Sequence, residues 1–292
     1  MHKFKLFLEM IKFEHTIFAL PFAYLGAFLA ARFQTGRGWP SLTQLFWITL
    51  AMVGARTAAM ALNRLIDRGI DAGNPRTAAR ALPQGLLGVG EVLAYIVLSF
   101  ALLTFAAYEL NPLTLKLMPV AVIFLTLYSY TKRFTWACHL VLGVTDALAP
   151  MGGWIAVTGS FDYQGVLLAL AVAIWIAGFD IVYSCQDLDF DKAHRIHSIP
   201  NRFGLYNALI ISAAFHVVTA ILLAWVGVIL HLGFIYYVGV LIAAVLLYKQ
   251  HRMVSPTDLS RLGFAFFNMN SYISLVVFFA ALADLAWPIR IF

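Results

Sequence analysis

Nine stretches of this chain are apolar over close to the length that crosses a lipid bilayer, and no other property restricts its fold so severely. Marked by their breakers, they lie near residues 15–32, 42–66, 90–109, 113–130, 138–158, 163–185, 205–228, 232–249 and 264–286. A hydrocarbon layer of ~30 Å needs ~20 residues of helix, because only a helix or a closed barrel satisfies its backbone in lipid. The third and fourth stretches are divided at Asn111-Pro112. A proline there suits the first turn of a new helix, and a fused run would be too long for one span. The expected fold is therefore all-α, a polytopic membrane protein of nine transmembrane helices forming one domain over 1–292. Composition agrees: 62% of residues are hydrophobic and 12% charged, against about 25% charged in ordinary globular domains.

The formal charge of +6 and the pI near 9.4 do not point to nucleic acid, because the basic residues are scattered over separate loops. A membrane-side bias explains them. With the N-terminus in the cytoplasm, fifteen Lys and Arg fall on cytoplasmic segments, among them Lys3, Arg64, Arg68, Lys249 and Arg261. Arg32, Arg37, Lys116 and Arg290 fall outside, and Arg56 lies within the second span. Nine spans then put the C-terminus outside. Lys3, Lys5 and Lys12 before an apolar run resemble a signal peptide, but with so many spans following, an uncleaved first helix is expected. Cys138 and Cys185 have no metal-ligand spacing and read as packing residues.

Chemistry concentrates where spans meet charged loops. Asn63, Asp67 and Asp71 follow one another at i, i+4 and i+8, on one helical face. Two carboxylates and an amide oxygen aimed together suit a hard divalent cation such as Mg²⁺, which takes one or two carboxylates and completes its shell with substrate phosphates. Arg76 and Arg80 follow, placed to neutralise phosphate oxygens. The bland alternative is a solvated helix end with a mixed-charge turn. A second cluster changes the balance: Asp180, Ser184, Asp187 and Asp191 again share a face, with Lys192, His194, Arg195, His197 and Ser198 behind them. Two such clusters imply two ions gripping one polyanion, which fits a diphosphate. Asp189 points elsewhere and reads as a surface charge.

Arg56 lies two turns deeper than Asn63 on about the same face, and an arginine at that depth lines a polar cavity more often than it snorkels. Lys132 and Arg133 end the fourth span on the same side as both acidic motifs, either as topology determinants or as partners for a substrate anion. Asp146, in the fifth span, reads equally as a substrate contact or an interhelical hydrogen bond. His15 and His139 read as interfacial residues rather than ligands, and Pro150-Met151-Gly152-Gly153 as a kink with close helix packing. The two motifs, each ending an even-numbered span, hint at internal duplication.

These residues resemble the UbiA superfamily of intramembrane aromatic prenyltransferases. The likeness runs along nearly the whole chain: Asn63-x-x-x-Asp67-x-x-x-Asp71 with its Arg76-Thr77 and Arg80-Ala81-Leu82-Pro83 tail; Tyr128 to Thr135; Asp187-x-x-x-Asp191 with Asp180 upstream and His197-Ser198-Ile199-Pro200 behind; and Arg56. The resemblance implies nine helices around a central cavity with a cytoplasmic cap. It implies transfer of a polyprenyl group from its diphosphate to a ring acceptor, with Mg²⁺. Asp67, Asp71, Asp187 and Asp191 would be catalytic and, with Asn63, metal-binding. Arg56, Asn63, Arg76, Arg80, Lys132, Arg133, Asp180, Lys192 and Arg195 would bind substrate. The acceptor it implies is 4-hydroxybenzoate, in quinone synthesis at the bacterial inner membrane. A branch resembling Phe13 to Phe22 brings in 1,4-dihydroxy-6-naphthoate as the alternative. One departure stands out: Arg64 occupies a position that is Asp in many ubiquinone-pathway members.

Readings from other classes fit less well. A transporter using Asp180, Asp146 and Arg56 as an ion path leaves the two metal-type clusters unexplained. The Asp-Gly-x-x-Ala-Arg signature of CDP-alcohol phosphotransferases is absent, and haem farnesyltransferase matches the whole-chain pattern less well.

Overall fold

A computed structural model describes residues 2–12, 14–36 and 38–289, without the side chains of residues 2, 14–19 and 266. Phe13, Arg37 and Arg290, and the side chain of His15, lie outside the described residues. Among those described, the chain forms helices and no β-strand. They are α1 His2–Met10, α2 Glu14–Thr35, α3 Leu42–Ile66, α4 Arg68–Gly73, α5 Val89–Leu110, α6 Pro112–Thr131, α7 Cys138–Thr158 and α8 Tyr163–Ser184. Then come α9 Leu188–Ala193, α10 Ile199–Ile229, α11 Phe234–Arg252, α12 Leu262–Phe264 and α13 Asn270–Ala286. Eight helical segments among the described residues are long and apolar enough to cross a membrane. The first expected span, 15–32, falls on the 22-residue α2.

Local chemistry explains the boundaries. Asn111 caps α6, its side chain accepting from Thr114 N at 2.9 Å, with Pro112 in the first turn. Ser41 and Gln44 form a reciprocal capping box on α3, satisfying donors that the helix start leaves orphaned. Gly204, at φ 81° and ψ 163°, interrupts α10, so its long arm starts at the expected residue 205. A π-helical turn, Ala265–Met269, joins α12 to α13.

Neighbouring helices pack in sequence and α13 returns to α2, closing a ring. The α2–α7 seam is backbone on backbone. A Cβ at Gly26 would overlap the Pro150 carbonyl, and one at Gly153 the Ala23 carbonyl. Gly152 has open space around it, so of the two adjacent glycines only Gly153 makes the expected close approach. Small residues permit such contact where lipid provides no hydrophobic drive between helices.

The short α1 was not legible as an element. It lies at the charged end, with Phe7 stacked on Tyr95 at 4.0 Å and Lys3 Nζ 2.6 Å from Glu91. At that end the loops after α3, α6 and α8 also meet, for His197 N donates to the Lys132 carbonyl at 2.8 Å.

Candidate active site

Both acidic motifs break their helices at the central aspartate. Asp67 sits at φ −88°, ψ 1° and Asp187 at φ −99°, ψ 6°. This is the sparsely used bridge region where active-site residues often lie. A six-residue helix follows each, α4 and α9. Neither motif is thus the single uninterrupted helix the spacing suggested. Asp67 N still bonds Asn63 O, and Asp71 N bonds Asp67 O. That is enough to keep the three side chains on one side.

All four aspartates line one cavity of about 1320 Å³. At its mouth each carboxylate has a protein partner. Lys132 Nζ donates to Asp67 Oδ2 at 2.6 Å, and Asn63 Nδ2 to the same oxygen at 3.0 Å. Arg133 Nη2 lies 2.9 Å from Asp67 Oδ1, but out of line, so that buried oxygen accepts no hydrogen bond. Arg80 Nη1 donates to both Asp71 oxygens at 2.8 and 2.7 Å. Asp191 accepts from Ser198 Oγ at 3.0 Å.

The two motifs are tied to each other through Arg76. Its Nε and Nη2 donate to Asp187 Oδ1 and Oδ2 at 3.0 and 2.7 Å, and its Nη1 to Tyr183 Oη at 2.9 Å. Asn74 Nδ2 adds a bond to Asp187 Oδ1 at 3.0 Å. Burial works against the Arg76 charge, yet the bonds and charge of Asp187, with Tyr183, hold its guanidinium above the usual arginine range. Asp67 and Asp71 are buried, and ions so placed persist only when paired.

Deeper in the cavity stand Arg56, Asp146, His139 and Asp180. Arg56 Nε is buried with no hydrogen-bond partner, and Arg56 and Asp146 are near enough for their charges to interact. His139, expected at the interface, is instead buried. Its Nδ1 pairs with Asp180 Oδ2 at 2.7 Å, and its Nε2 accepts from Ile199 N at 3.2 Å. The backbone donor leaves the proton on Nδ1, so His139 donates to Asp180. Phe179, Tyr183 and Trp175 line the walls.

The sequence reading needs correction at several positions. Lys192 and Arg195 are exposed and do not line the cavity. Lys192 is on the outer face of α9, and Arg195, at φ 56°, borders a separate shallow hollow with Gly69 and Gly73. Arg133 reaches Asp67 from that same outer side. Asn63 Oδ1, expected to face a metal, accepts from Arg64 Nη1 at 3.1 Å. Ser184 turns its hydroxyl to the Ile181 carbonyl. Asp189 is exposed, as expected. Asn74, Tyr183 and His139 escaped notice as site residues, because single polar residues carry no periodic signal. Cys138 and Cys185 are both free, the first half-buried and the second buried.

A helical membrane bundle enclosing one chamber, with paired carboxylates and cations at one end and aromatic side chains on its walls, is the architecture of a multi-pass membrane enzyme. The chain belongs to the UbiA prenyltransferase family, whose model matches residues 19–272, and it is a transferase. It is 31% identical over 258 residues to a 4-hydroxybenzoate octaprenyltransferase of Yersinia pseudotuberculosis, covering 87% of this chain and 88% of the relative. The Edwardsiella ictaluri protein of the same name is 32% identical over 241 residues, covering 82% and 83%. Among solved structures, the apo UbiA homologue from Aeropyrum pernix K1 superposes with a TM-score of 0.84 at 33% identity, over 93% of this chain and 98% of that one. A UbiA homologue from Archaeoglobus fulgidus bound to GPP and Mg²⁺ shares the fold, with a TM-score of 0.62 at 20% identity, over 93% and 99%.

Proposed function

We propose that this enzyme transfers a polyprenyl group from polyprenyl diphosphate to a ring carbon of 4-hydroxybenzoate, in quinone synthesis at the bacterial inner membrane. The charged end faces the cytoplasm, with the N-terminus inside and the C-terminus outside. One observation carries this reading: a single cavity joins a mouth of carboxylates and cations to the guanidinium of Arg56, whose buried Nε has no partner. A diphosphate fits the first and an acceptor carboxylate the second. The names of the curated relatives support the acceptor, and the GPP and Mg²⁺ in the A. fulgidus homologue support the donor.

The donor set fits Mg²⁺. Asp67, Asp71, Asp187 and Asp191 offer hard oxygens, and Asp67 Oδ1 is buried without a hydrogen bond. Among the described residues no three acidic, His or Cys side chains group closely enough to hold a metal by themselves, and substrate phosphates would complete the shell. These four aspartates would hold the two ions, which when bound would neutralise charge growing on the leaving diphosphate.

The chain's own residues do the rest. Arg76, Arg80 and Lys132 exchange carboxylate for phosphate oxygens and stabilise the leaving group. The C1–O bond breaks with its electron pair leaving on the diphosphate. The allylic cation is held against the faces of Phe179, Tyr183 and Trp175, away from water. Arg56 anchors the acceptor through its carboxylate, and a ring electron pair forms the new C–C bond. The proton on that carbon passes to Asp180, which His139 holds in place.

Incubating membranes containing the protein with polyprenyl diphosphate, Mg²⁺ and 4-hydroxybenzoate is expected to yield a prenylated acid by mass spectrometry, and chelation to abolish it. Product from 1,4-dihydroxy-6-naphthoate alone would replace the acceptor; no product from either would sink the reading.

A further inference from the structure

Arg64 lines the same cavity yet differs from the other cations of the mouth. Arg76, Arg80, Lys132 and Arg133 each have a carboxylate within ion-pair distance. Among the described residues Arg64 has none. Its bonds go to neutral oxygens: Nη1 to Asn63 Oδ1 at 3.1 Å, and Nε to the Met10 carbonyl at 3.4 Å, a long contact. A guanidinium carries five donors in a fixed fork, so most of its capacity is unused. It is also near enough to Arg80 and Asp71 for all three charges to interact. Asp71 is committed to Arg80, which bonds both of its oxygens, and so leaves the Arg64 charge without a counter-ion in contact. Arg64 is half-buried, and a cation so placed and held only by neutral groups is costly.

We propose that Arg64 binds the diphosphate directly, together with Arg80, as a cation built into the first motif. It holds the amide oxygen that the sequence pattern assigns to a metal, so part of the neutralising charge here is covalently fixed. This rests on the reading of the substrate as a prenyl diphosphate. Its consequence is separate: the chain retains a metal-independent component of diphosphate affinity that depends on the charge at position 64.

The test is calorimetric titration of the full chain in lipid nanodiscs with inorganic pyrophosphate, in EDTA and in Mg²⁺. The wild type is expected to bind in both, more weakly in EDTA. Arg64→Gln keeps an N–H for Met10 and Asn63 but removes the charge, and is expected to weaken binding in EDTA at least about tenfold, a charge-assisted contact being roughly twice as strong as a neutral one. Arg64→Lys is expected to stay within about threefold, since it keeps the charge and loses the fork. Thermal midpoints confirm that each variant folds, and Arg64→Met replaces the glutamine variant if that one does not. Unchanged binding in Arg64→Gln or Arg64→Met overturns the proposal, as does a wild type that binds pyrophosphate only with Mg²⁺. A wild type that binds no pyrophosphate under either condition overturns the prenyl-diphosphate reading as well.

Discussion

The contact between Arg76 and Asp187 decides whether the two acidic motifs are latched together before substrate arrives. A double-mutant cycle of Arg76→Ala, Asp187→Ala and the pair isolates it. Two hydrogen bonds between charged groups, each ~1.5–3 kcal/mol, would give about 3–6 kcal/mol if fully buried. The Asp187 side chain is 16% exposed but that of Arg76 is 35% exposed, and exposed pairs fall to ~0.2–1 kcal/mol. The coupling expected between these limits is about 1.5 kcal/mol, or about 3–6 °C at the rough scale of 2–4 °C per kcal/mol. Thermal unfolding of the detergent-solubilised protein, followed by tryptophan fluorescence, reads it. If both side chains exchange partners when a diphosphate binds, the coupling falls toward zero at saturating pyrophosphate and Mg²⁺. A coupling below about 0.3 kcal/mol without ligand, within the usual error of additivity, refutes the latch; an undiminished one with ligand refutes the exchange.

Arg56→Ala is expected to raise KM for 4-hydroxybenzoate about 30- to 100-fold, from loss of a charged hydrogen bond of ~2–3 kcal/mol, with KM for the polyprenyl diphosphate unchanged in steady-state kinetics. Asp180→Asn is expected to lower kcat about 10²- to 10⁴-fold while pyrophosphate affinity, measured by calorimetry, stays at the wild-type value. Gly153→Ala drives a methyl into the Ala23 carbonyl and is expected to cost ~1–3 kcal/mol, read as a lower thermal midpoint. Gly152→Ala, with nothing within 4 Å, is expected to leave the midpoint alone.

The membrane helices were legible because each is a long apolar run ended by a residue with a specific reason to end it. The division at Asn111-Pro112 and the start of the long arm after Gly204 are examples. The α1 helix was hidden by its length: nine residues fall far short of a span, and a search for membrane-crossing runs passes over them. The acidic motifs were legible as clusters but not as shapes. A face drawn by helical spacing holds only while the helix continues, and the turn at Cys185–Asp187 resets the phase. Lys192 follows Asp191 directly in α9 and so points to another face, and Arg195 lies past the end of that helix at φ 56°, so both lie outside the cavity. Asn74 and Arg76 reach Asp187 across more than a hundred residues, and no local pattern carries such a contact.

The pairing at the mouth answers a physical difficulty. Asp67, Asp71, Asp187 and Asp191, gathered bare at a membrane boundary, would repel the diphosphate they are thought to receive. Asp67 and Asp71 could not stay buried unpaired. Arg64, Arg76, Arg80 and Lys132 line the mouth beside those four carboxylates, and Arg133 reaches Asp67 from the outer side, so the mouth is close to neutral. The charges of Asp67, Asp71 and Asp187 are stored as ion pairs, while Asp191 rests on the Ser198 hydroxyl. The exchange is favourable only if the incoming anion brings enough charge for both released sets, the cations binding phosphate and the carboxylates binding metal. A monophosphate supplies less charge and fewer oxygens to bridge them, so on the proposed reading the pairing would favour a diphosphate. The matched breaks at Asp67 and Asp187, with nearly equal backbone angles and six-residue helices behind them, present the two halves of this store alike.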